Sequence, residues 1–324
     1  MEHLIRIHSY GGPEVLTYEA AHLGAPGPGQ LRIRQTYIGV NFHDVYVRSG
    51  LYRTLSLPGT PGLEGVGYVE QVGEGVLGFQ IGDRIVYMSS NYGAYATSRL
   101  VPAELAIPLP PGIKEADAAA CYLKGLTVQM LLHKMRPIRG QAWVLIHAAA
   151  GGVGQLLVQG ALRLGANVIG TVGSLEKVAV LRAIGCRHIV LYKSVDFVES
   201  VKSITNGRGV NIVFDSVGKD TFAGSMEVLT LGGSLINYGQ ASGAVAPLDV
   251  STLAAKSLTL SRPVVFHYVT QRTDLEELSD LLFKELLDGH IRLEPPLTFE
   301  LKDANEAHAL LESRKTMQSV VLRV

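Results

Sequence analysis

The sequence predicts an α/β protein in two parts: a six-stranded, doubly wound parallel sheet, and a β-rich region assembled from the two ends of the chain. Three observations carry that prediction. A strand-length apolar run, an Ala/Gly turn and a helix-spaced run follow one another within Gln141–Gly165. From about Ala116 to Ser261, strand-length runs alternate with runs of helical spacing. Before that, short and partly alternating runs are separated by Gly/Pro clusters, the pattern of a small barrel or sandwich.

Taken in order, Leu4–His8, Leu31–Tyr37, Gly67–Val72 and Arg84–Met88 read as strands. Clusters at Gly11–Pro13, Gly24–Gly29, Pro58–Gly62, Gly73–Gly78 and Pro108–Gly112 read as turns. Phe42–Ser49 reads as a helix closed by Gly50. Trp143–Ile146 begins the alternating part, and Ala148–Gly154 turns the chain. Apolar residues then recur at Val153, Leu156, Leu157, Ala161 and Leu164, with Gly165 where a C-cap glycine belongs. A strand at Asn167–Val172, a helix through Ile184, a strand at Ile189–Tyr192 and a helix at Phe197–Thr205 follow. Next come a strand at Asn211–Asp215, a helix through Leu229, and strands at Ser234–Tyr238 and Leu258–Ser261. Past Arg262, Leu275–Leu287 is an amphipathic helix ended by Gly289, Asp303–Glu312 is another with Asp303 as its cap, and Met317–Val324 ends as an apolar strand. These last pieces are too small to fold alone, so they should rejoin the first region.

Lys+Arg and Asp+Glu both number 29 in 324 residues, so the formal net charge is zero. That balance argues against a nucleic-acid or anionic-membrane partner. The two cysteines, Cys121 and Cys186, support neither a disulfide framework nor a cysteine-rich metal site; both are expected to be buried thiols. The N-terminal MEHLIRIHSYGG lacks the apolar core of a signal peptide. No apolar run reaches the roughly 18 residues of a membrane span, and a soluble cytoplasmic protein is expected.

The glycine turn carries the chemistry. Without a Cβ at Gly151, a pyrophosphate can approach the backbone. Without one at Gly154, the helix can pack closely on the strand. The helix start offers unpaired N–H groups and a positive dipole end. Ala149 stands where the three-glycine dinucleotide fingerprint has its first glycine. About 20 residues on, NAD-binding chains carry an acidic residue for the ribose 2′-hydroxyl. Here that position holds Gly173 and Ser174, with Lys177 one turn later. A hydroxyl and an ammonium suit a 2′-phosphate, so the cofactor predicted is NADPH. Ser174 as a simple N-cap and Lys177 as a solvated charge is the structural alternative. Glu176, in the first turn of the next helix, reads as dipole complementation.

At this point the residues resemble a family. Gly39–Tyr52 (GVNFHDVYVRSGLY), Pro61–Gly67 (PGLEGVG), Gly82-Asp83-Arg84, Leu123–Thr127 (LKGLT), His147–Gly154 (HAAAGGVG), Phe214–Gly218 (FDSVG) and Tyr238–Gly243 (YGQASG) are similar, in one order, to the zinc-free, zeta-crystallin-like quinone oxidoreductases of the medium-chain dehydrogenase/reductase superfamily. The resemblance implies a GroES-like catalytic domain from residues 1–121 and 263–324, a Rossmann domain from 122–262, NADPH in the interdomain cleft and a homodimer. It also implies hydride or electron transfer from NADPH to a quinone or related conjugated carbonyl. By the same resemblance Asn41 and Tyr46 line the nicotinamide end, and Thr127 touches the cofactor at the crossover. Gly151, Gly152 and Val153 serve the pyrophosphate. Ser174, Lys177 and Tyr192 hold the 2′-phosphate side; Ser216, Tyr238 and Gly239 border ribose and nicotinamide. Arg262 and Arg314 complete the pocket, and Tyr52 stands at the substrate mouth. Gln129 and Val264-Val265-Phe266 depart from the family pattern.

Zinc alcohol dehydrogenases of the same superfamily use a cysteine where this chain has Asn41, and a histidine where it has Leu63 in Gly62-Leu63-Glu64. Their four-cysteine loop has no counterpart in Met88–Ala96. No metal is therefore expected. Without a Lewis acid, alcohol oxidation lacks its means of stabilising an alkoxide, whereas a quinone or enone yields a delocalised anion. The reading assigns Tyr46 to donate a hydrogen bond or proton to the substrate oxygen and Asn41 to orient it; Tyr46 packing its ring under the cleft is the structural alternative. An alkenal or enoyl reductase using the same hydride is a second enzymatic reading. An NADPH-responsive RNA-binding or structural protein, and a weakly active NADPH-binding protein, are the non-enzymatic ones. Lys124 is open between a solvated position and the cleft. His147 and Trp143 are expected to pack, Glu276-Glu277 to lie on a wet helix face, and Val245–Ser257 to lie near a sheet edge available to a second subunit.

Overall fold

The computed structural model describes residues 2–313 and 315–324. In the first part of the chain, β1 (Glu2–Arg6) pairs antiparallel with β2 (Thr17–Ala21). β3 (Gln30–Val40) then leads into helix α1 (Phe42–Arg48). β4 (Glu64–Val72), β5 (Arg84–Met88), β6 (Ser98–Pro102) and β7 (Ala106–Pro108) follow. Leu31 and Ile33 of β3 face the core while Arg32 and Arg34 alternate outward, the period-2 signature of a half-buried strand. β3 exceeds the length read from its apolar alternation because its end, Ile38–Val40, is buried on both faces.

Helix α2 (Glu115–Gln129) was not anticipated from the sequence. Every residue from Ala118 to Leu126 is buried, so it shows no amphipathic period. The chain separates into two compact units within this helix: residues 1–126, 269–287 and 293–324 form one, 127–268 and 288–292 the other.

The second unit holds β8 (Trp143–Ile146), α3 (Gly152–Arg163), β9 (Asn167–Val172), α4 (Leu175–Ala183), β10 (His188–Leu191), α5 (Phe197–Ile204), β11 (Val210–Asp215), α6 (Phe222–Glu227), β12 (Leu229–Asn237) and β13 (Thr259–Ser261). The six strands are all parallel in the order β10-β9-β8-β11-β12-β13. This is the doubly wound order, with its switch point at β8 and β11. Leu145, Ile169, Val213 and Leu235 form its core with Val201 and Val228 from the flanking helical segments. The helix expected through Leu229 stops at Glu227, and Leu229 instead opens β12. Gly232, at φ 66°, and Gly233 interrupt that strand, which disguised its first half as a turn. Val245–Ser257 contributes a 3-10 turn at Val250–Lys256; the edge strand itself is β13.

The returning chain supplies α7 (Arg272–Leu287), β14 (Leu297–Glu300), α8 (Ala304–Glu312) and β15 (Val320–Arg323) to the first unit. β4 covers one edge of β3 throughout, and the other edge is shared. β6 takes residues 30–34 of β3 and β15 takes residues 37–40. Ile5, Ile33, Ile38, Val320 and Leu322 meet in the resulting core with Leu301 and Ala304. Asp303 is the N-cap residue of α8, without a side-chain capping bond. Among the described residues no helix is long and apolar enough to cross a membrane.

Candidate active site

In the parallel-sheet unit the residues predicted to meet the cofactor follow the carboxyl ends of the strands, with Thr127 the exception. Gly151–Val153 follow β8, Ser174 and Lys177 follow β9, Tyr192 follows β10, Ser216 follows β11, Tyr238 and Gly239 follow β12, and Arg262 follows β13. Open α/β sheets bind ligands on that side, at the switch point.

The glycine turn fits the role read for it. Gly154 cannot carry a side chain: a Cβ there would overlap the Ala148 carbonyl oxygen and lie 2.7 Å from that of Ala149. Among the described residues, Ala148 O at 3.2 Å is the one atom within 4 Å of an added Cβ at Gly151, so that face of the turn is open to an anion. Gly151 is the N-cap of the twelve-residue α3, whose first N–H groups face the same direction as its positive dipole end. The missing first glycine of the fingerprint has a local compensation. The methyl of Ala149 lies 3.0 Å from where a Cβ of Gly170 would be, so a glycine in β9 makes the room that the fingerprint makes in the turn. Ala148 absorbs the tight geometry at φ 49°, in the left-handed region that non-glycine residues rarely occupy. His147 packs beneath the turn, buried between the Thr171 and Ser225 hydroxyls at 3.0 and 2.9 Å, and burial lowers its pKa to about 4.

The loops after β11 and β12 are bound into one another. Buried Asp215 accepts hydrogen bonds from the N–H groups of Val217 and Gly218 and from the Thr221 hydroxyl. Tyr238 N donates to Asp215 O at 2.8 Å, and a Cβ on Gly239 would lie 2.8 Å from Ser216 O. Asn237 donates to Asp215 O and Gly239 O, while the Arg262 guanidinium donates to Asn237 Oδ1 and, at 3.4 Å, to Gly239 O. Ser216, Tyr238, Gly239 and Arg262 are thus one assembly. At the other side of the sheet Ser174 stands at the N-cap position of α4 without a side-chain capping bond, and its hydroxyl bonds Glu176. Tyr192 reaches back over Gly173, its hydroxyl 3.3 Å from a Cβ built there. Thr127 lies in the last turn of α2. Arg314 lies outside the described residues.

In the other unit, Asn41 is buried at the N-cap of α1 and is held by two carboxylates. Its backbone N–H donates to Asp44 Oδ2 at 2.8 Å, and its side-chain Nδ2 donates to Glu64 Oε1 at 2.7 Å. Glu64 Oε2 accepts from Leu123 N at 2.7 Å. Lys124, left open by the sequence, is only 9% exposed; its ammonium lies 3.4 Å from Val40 O and offsets the Glu64 charge. Burial raises the pKa of both carboxyls, that of Asp44 to about 7. Gly39 permits this packing, because a Cβ there would overlap Glu64.

A directed hydrogen-bond chain continues from Asp44. Arg48 can only donate, so its 3.3 Å contact makes His308 Nδ1 the acceptor and places the imidazole proton on Nε2. That proton is then donated to the Tyr95 hydroxyl at 2.9 Å, and Tyr95 donates to Asp44 Oδ2 at 3.2 Å. Burial and the Arg48 charge lower the His308 pKa to about 3, which keeps the direction fixed. Arg48 also donates to Glu312 at 2.7 Å. Helix α8 therefore braces α1.

The outward side of α1 carries rings. Tyr46 packs edge-on against Phe42 and Tyr52, with centroids 5.2 and 5.0 Å apart. His43 packs against Tyr52 and Tyr92, and its Nε2 meets the Tyr92 hydroxyl at 2.9 Å. Burial lowers the His43 pKa to about 4, so it is neutral at physiological pH. Tyr46 and Tyr52 are thus neighbours, and His43 and Tyr92, not among the predicted site residues, join them. Nothing local in the sequence ties Tyr92 to α1. Asp44 and His43 face different surroundings, and Asp44 braces the start of α1 through Asn41 N and Tyr95. Among the described residues no group of three or more His, Cys, Asp or Glu side chains is placed to hold a metal ion. Cys121 and Cys186 are both free and buried.

Two families match the chain: one described as alcohol dehydrogenase GroES-like domain, over residues 27–111, and one described as zinc-binding dehydrogenase, over residues 152–284. Quinone oxidoreductase 1 of Escherichia coli is 41% identical over 321 residues, covering 98% of each chain. A 2-haloacrylate reductase of a Burkholderia species is 42% identical over 323 residues, 98% of this chain and 97% of that one. The crystal structure of Escherichia coli quinone oxidoreductase complexed with NADPH matches at a TM-score of 0.97 and 41% identity, over 99% of this chain and 100% of the other.

Proposed function

The chain belongs to the zeta-crystallin-like quinone oxidoreductases of the medium-chain dehydrogenase/reductase superfamily and is an NADPH-dependent oxidoreductase; from that premise we propose that it reduces a quinone without a metal ion. NADPH supplies the hydride when bound. Gly151–Val153 hold its pyrophosphate, Ser174, Lys177 and Tyr192 its 2′-phosphate, and Ser216, Tyr238, Gly239 and Arg262 its nicotinamide half, with Thr127 and Arg314 as further contacts.

The observation that supports a quinone most directly is the ring cluster of Phe42, His43, Tyr46, Tyr52 and Tyr92 beside Asn41. Stacked and edge-on aromatic contacts suit a flat conjugated acceptor. Asn41 has its amide orientation set by donation of one Nδ2 hydrogen to Glu64, which leaves its second amide N–H and its carbonyl oxygen to a ligand. It orients a hydroxyl of cofactor or substrate. Tyr46 donates a hydrogen bond to the acceptor oxygen; His43, being neutral, adds no cation.

Reduction of a conjugated C=C is a second reading, favoured by the 42% identity to a 2-haloacrylate reductase. NADPH oxidation by the purified protein should be followed with 1,4-quinones, 2-alkenals and 2-haloacrylates in parallel. The quinone reading expects the highest kcat/KM with a quinone, and turnover confined to the alkenals or haloacrylates would replace it. A homodimer joined along β13 also fits. β13 is the edge of the parallel sheet, and Leu231 and Val250 are 78% and 74% exposed in this unit. Sedimentation at a single-chain mass would exclude it.

A further inference from the structure

We propose that Lys193 is a second cation of the adenosine 2′-phosphate site and that Gly173 is the residue that admits it. The proposal rests on the NADPH assignment and not on the identity of the acceptor.

β9 and β10 are parallel neighbours, with Val172 opposite Leu191. The first residues beyond each strand, Gly173-Ser174 and Tyr192-Lys193, therefore lie side by side, and Tyr192 N donates to Val172 O at 3.2 Å. A Cβ built on Gly173 would lie 3.3 Å from the Tyr192 hydroxyl and 3.5 Å from Lys193 Cε. In NAD-binding sheets the end of this strand carries the carboxylate that takes the ribose hydroxyls. Here the side-chain volume of that position is filled by a phenol and a lysine stem from the next strand. Lys193 makes no hydrogen bond or ion pair with any described residue, so its charge is uncommitted.

Lys177 alone does not make this corner positive. The Ser174 hydroxyl bonds Glu176, and that bond, with the nearby Lys177 charge, holds the Glu176 carboxyl below its usual range. An ionised carboxylate thus stands next to Lys177 in the first turn of α4 and offsets it. Lys193 restores a net positive charge where a phosphate must be held, and Glu176 opposes binding.

The test is titration of the full-length protein with NADPH and with NADH, followed by nucleotide fluorescence. Lys193→Gln should raise the Kd for NADPH about fivefold, the order of a single exposed charge contact. It should leave NADH unchanged and make the NADPH affinity less sensitive to salt. Lys193→Arg should restore NADPH binding, and Glu176→Gln should tighten it about twofold. Lys193→Gln binding NADPH like the wild type, or weakening NADPH and NADH equally, would overturn the proposal. Unchanged NADH binding reports that the variant is folded. A wild-type protein that itself shows no preference for NADPH would remove the cofactor assignment, and the proposal with it; a preference that survives Lys193→Gln removes the proposal alone.

Discussion

The two units build their candidate sites by different physical means. The parallel-sheet unit works through backbone: glycines that open a turn, strand ends that line up six loops, and a helix start. Of its deeply buried ionisable side chains, Asp215 binds the loop that follows β11, and His147 ties β9 to α6. The first unit works through side chains. Asn41, Asp44, Arg48, Glu64, Lys124 and His308 are all buried and bonded to one another or to backbone. A backbone turn fails when a glycine gains a Cβ. A buried polar site fails when one partner of a charge pair is lost, since the remaining charge stays in low dielectric.

The single tryptophan, Trp143, lies in the parallel-sheet unit, so its fluorescence reports that unit while circular dichroism reports both. The largest effect should come from Lys124→Met. It leaves Glu64 buried without its cation and should destabilise the first unit by about 3–5 kcal/mol, and adding Glu64→Gln should recover a good part. In urea, the dichroism transition should move and the Trp143 transition should not; a shift of both together would mean the units do not respond separately.

Acid comes next. His43 and His147 have folded pKa values of about 4 and His308 of about 3, below the ordinary histidine value of 6.5. As pH falls from 6.5 the unfolded chain binds protons that the folded chain refuses, so stability is lost through that window. Asp44, raised from 3.8 to about 7, has the opposite sign: the folded form is protonated first, and stability rises as pH falls from 7 towards 4. In the first unit Asp44 and Glu64, both raised by burial, oppose the two histidines. In the other, nothing resolved offsets His147, so its stability should fall by about 3 kcal/mol between pH 6.5 and 4, at roughly 1.4 kcal/mol per pH unit for one proton. His147→Asn should flatten the Trp143 unfolding midpoint across that range; an unchanged slope would assign the protons elsewhere.

Gly154→Ala should be somewhat milder, about 2 kcal/mol in the Trp143 transition, because the turn must move its carbonyls away from the new Cβ. NADPH affinity should fall by at least about tenfold, with the dichroism of the first unit retained. The smallest effect expected is Tyr46→Phe. Loss of one hydrogen bond to the acceptor should lower kcat with a quinone about tenfold without moving either unfolding transition. Unchanged turnover would reduce Tyr46 to a packing residue.

Legibility in the sequence follows the same division. The strand, glycine turn and helix at Gln141–Gly165, the absence of a carboxylate at Gly173, and the six-strand alternation were all read from residues close together in the chain. Misreadings came from two sources. Glycines inside β12 disguised its start, and the uniformly buried α2 gave no period. The cluster around Asn41 was beyond reach for another reason. Asn41 and Glu64 are 23 residues apart, Glu64 and Leu123 59, and Arg48 and His308 260. Apart from Leu123, which contributes its backbone N–H, each is a polar residue whose default reading is a solvated surface.

The sequence by itself determined the doubly wound sheet, the anion turn and the preference for a phosphate-bearing cofactor, because glycine's missing Cβ and a missing carboxylate are local facts that no distant contact can alter. Only the tertiary structure decided how Ala149 is accommodated by Gly170, that Lys193 lies over Gly173, and that Lys124 is buried with its ammonium at the Val40 carbonyl instead of solvated. Those outcomes depend on which strands become neighbours. A side chain's charge or volume acquires its meaning there from partners brought to within a few ångströms by the fold.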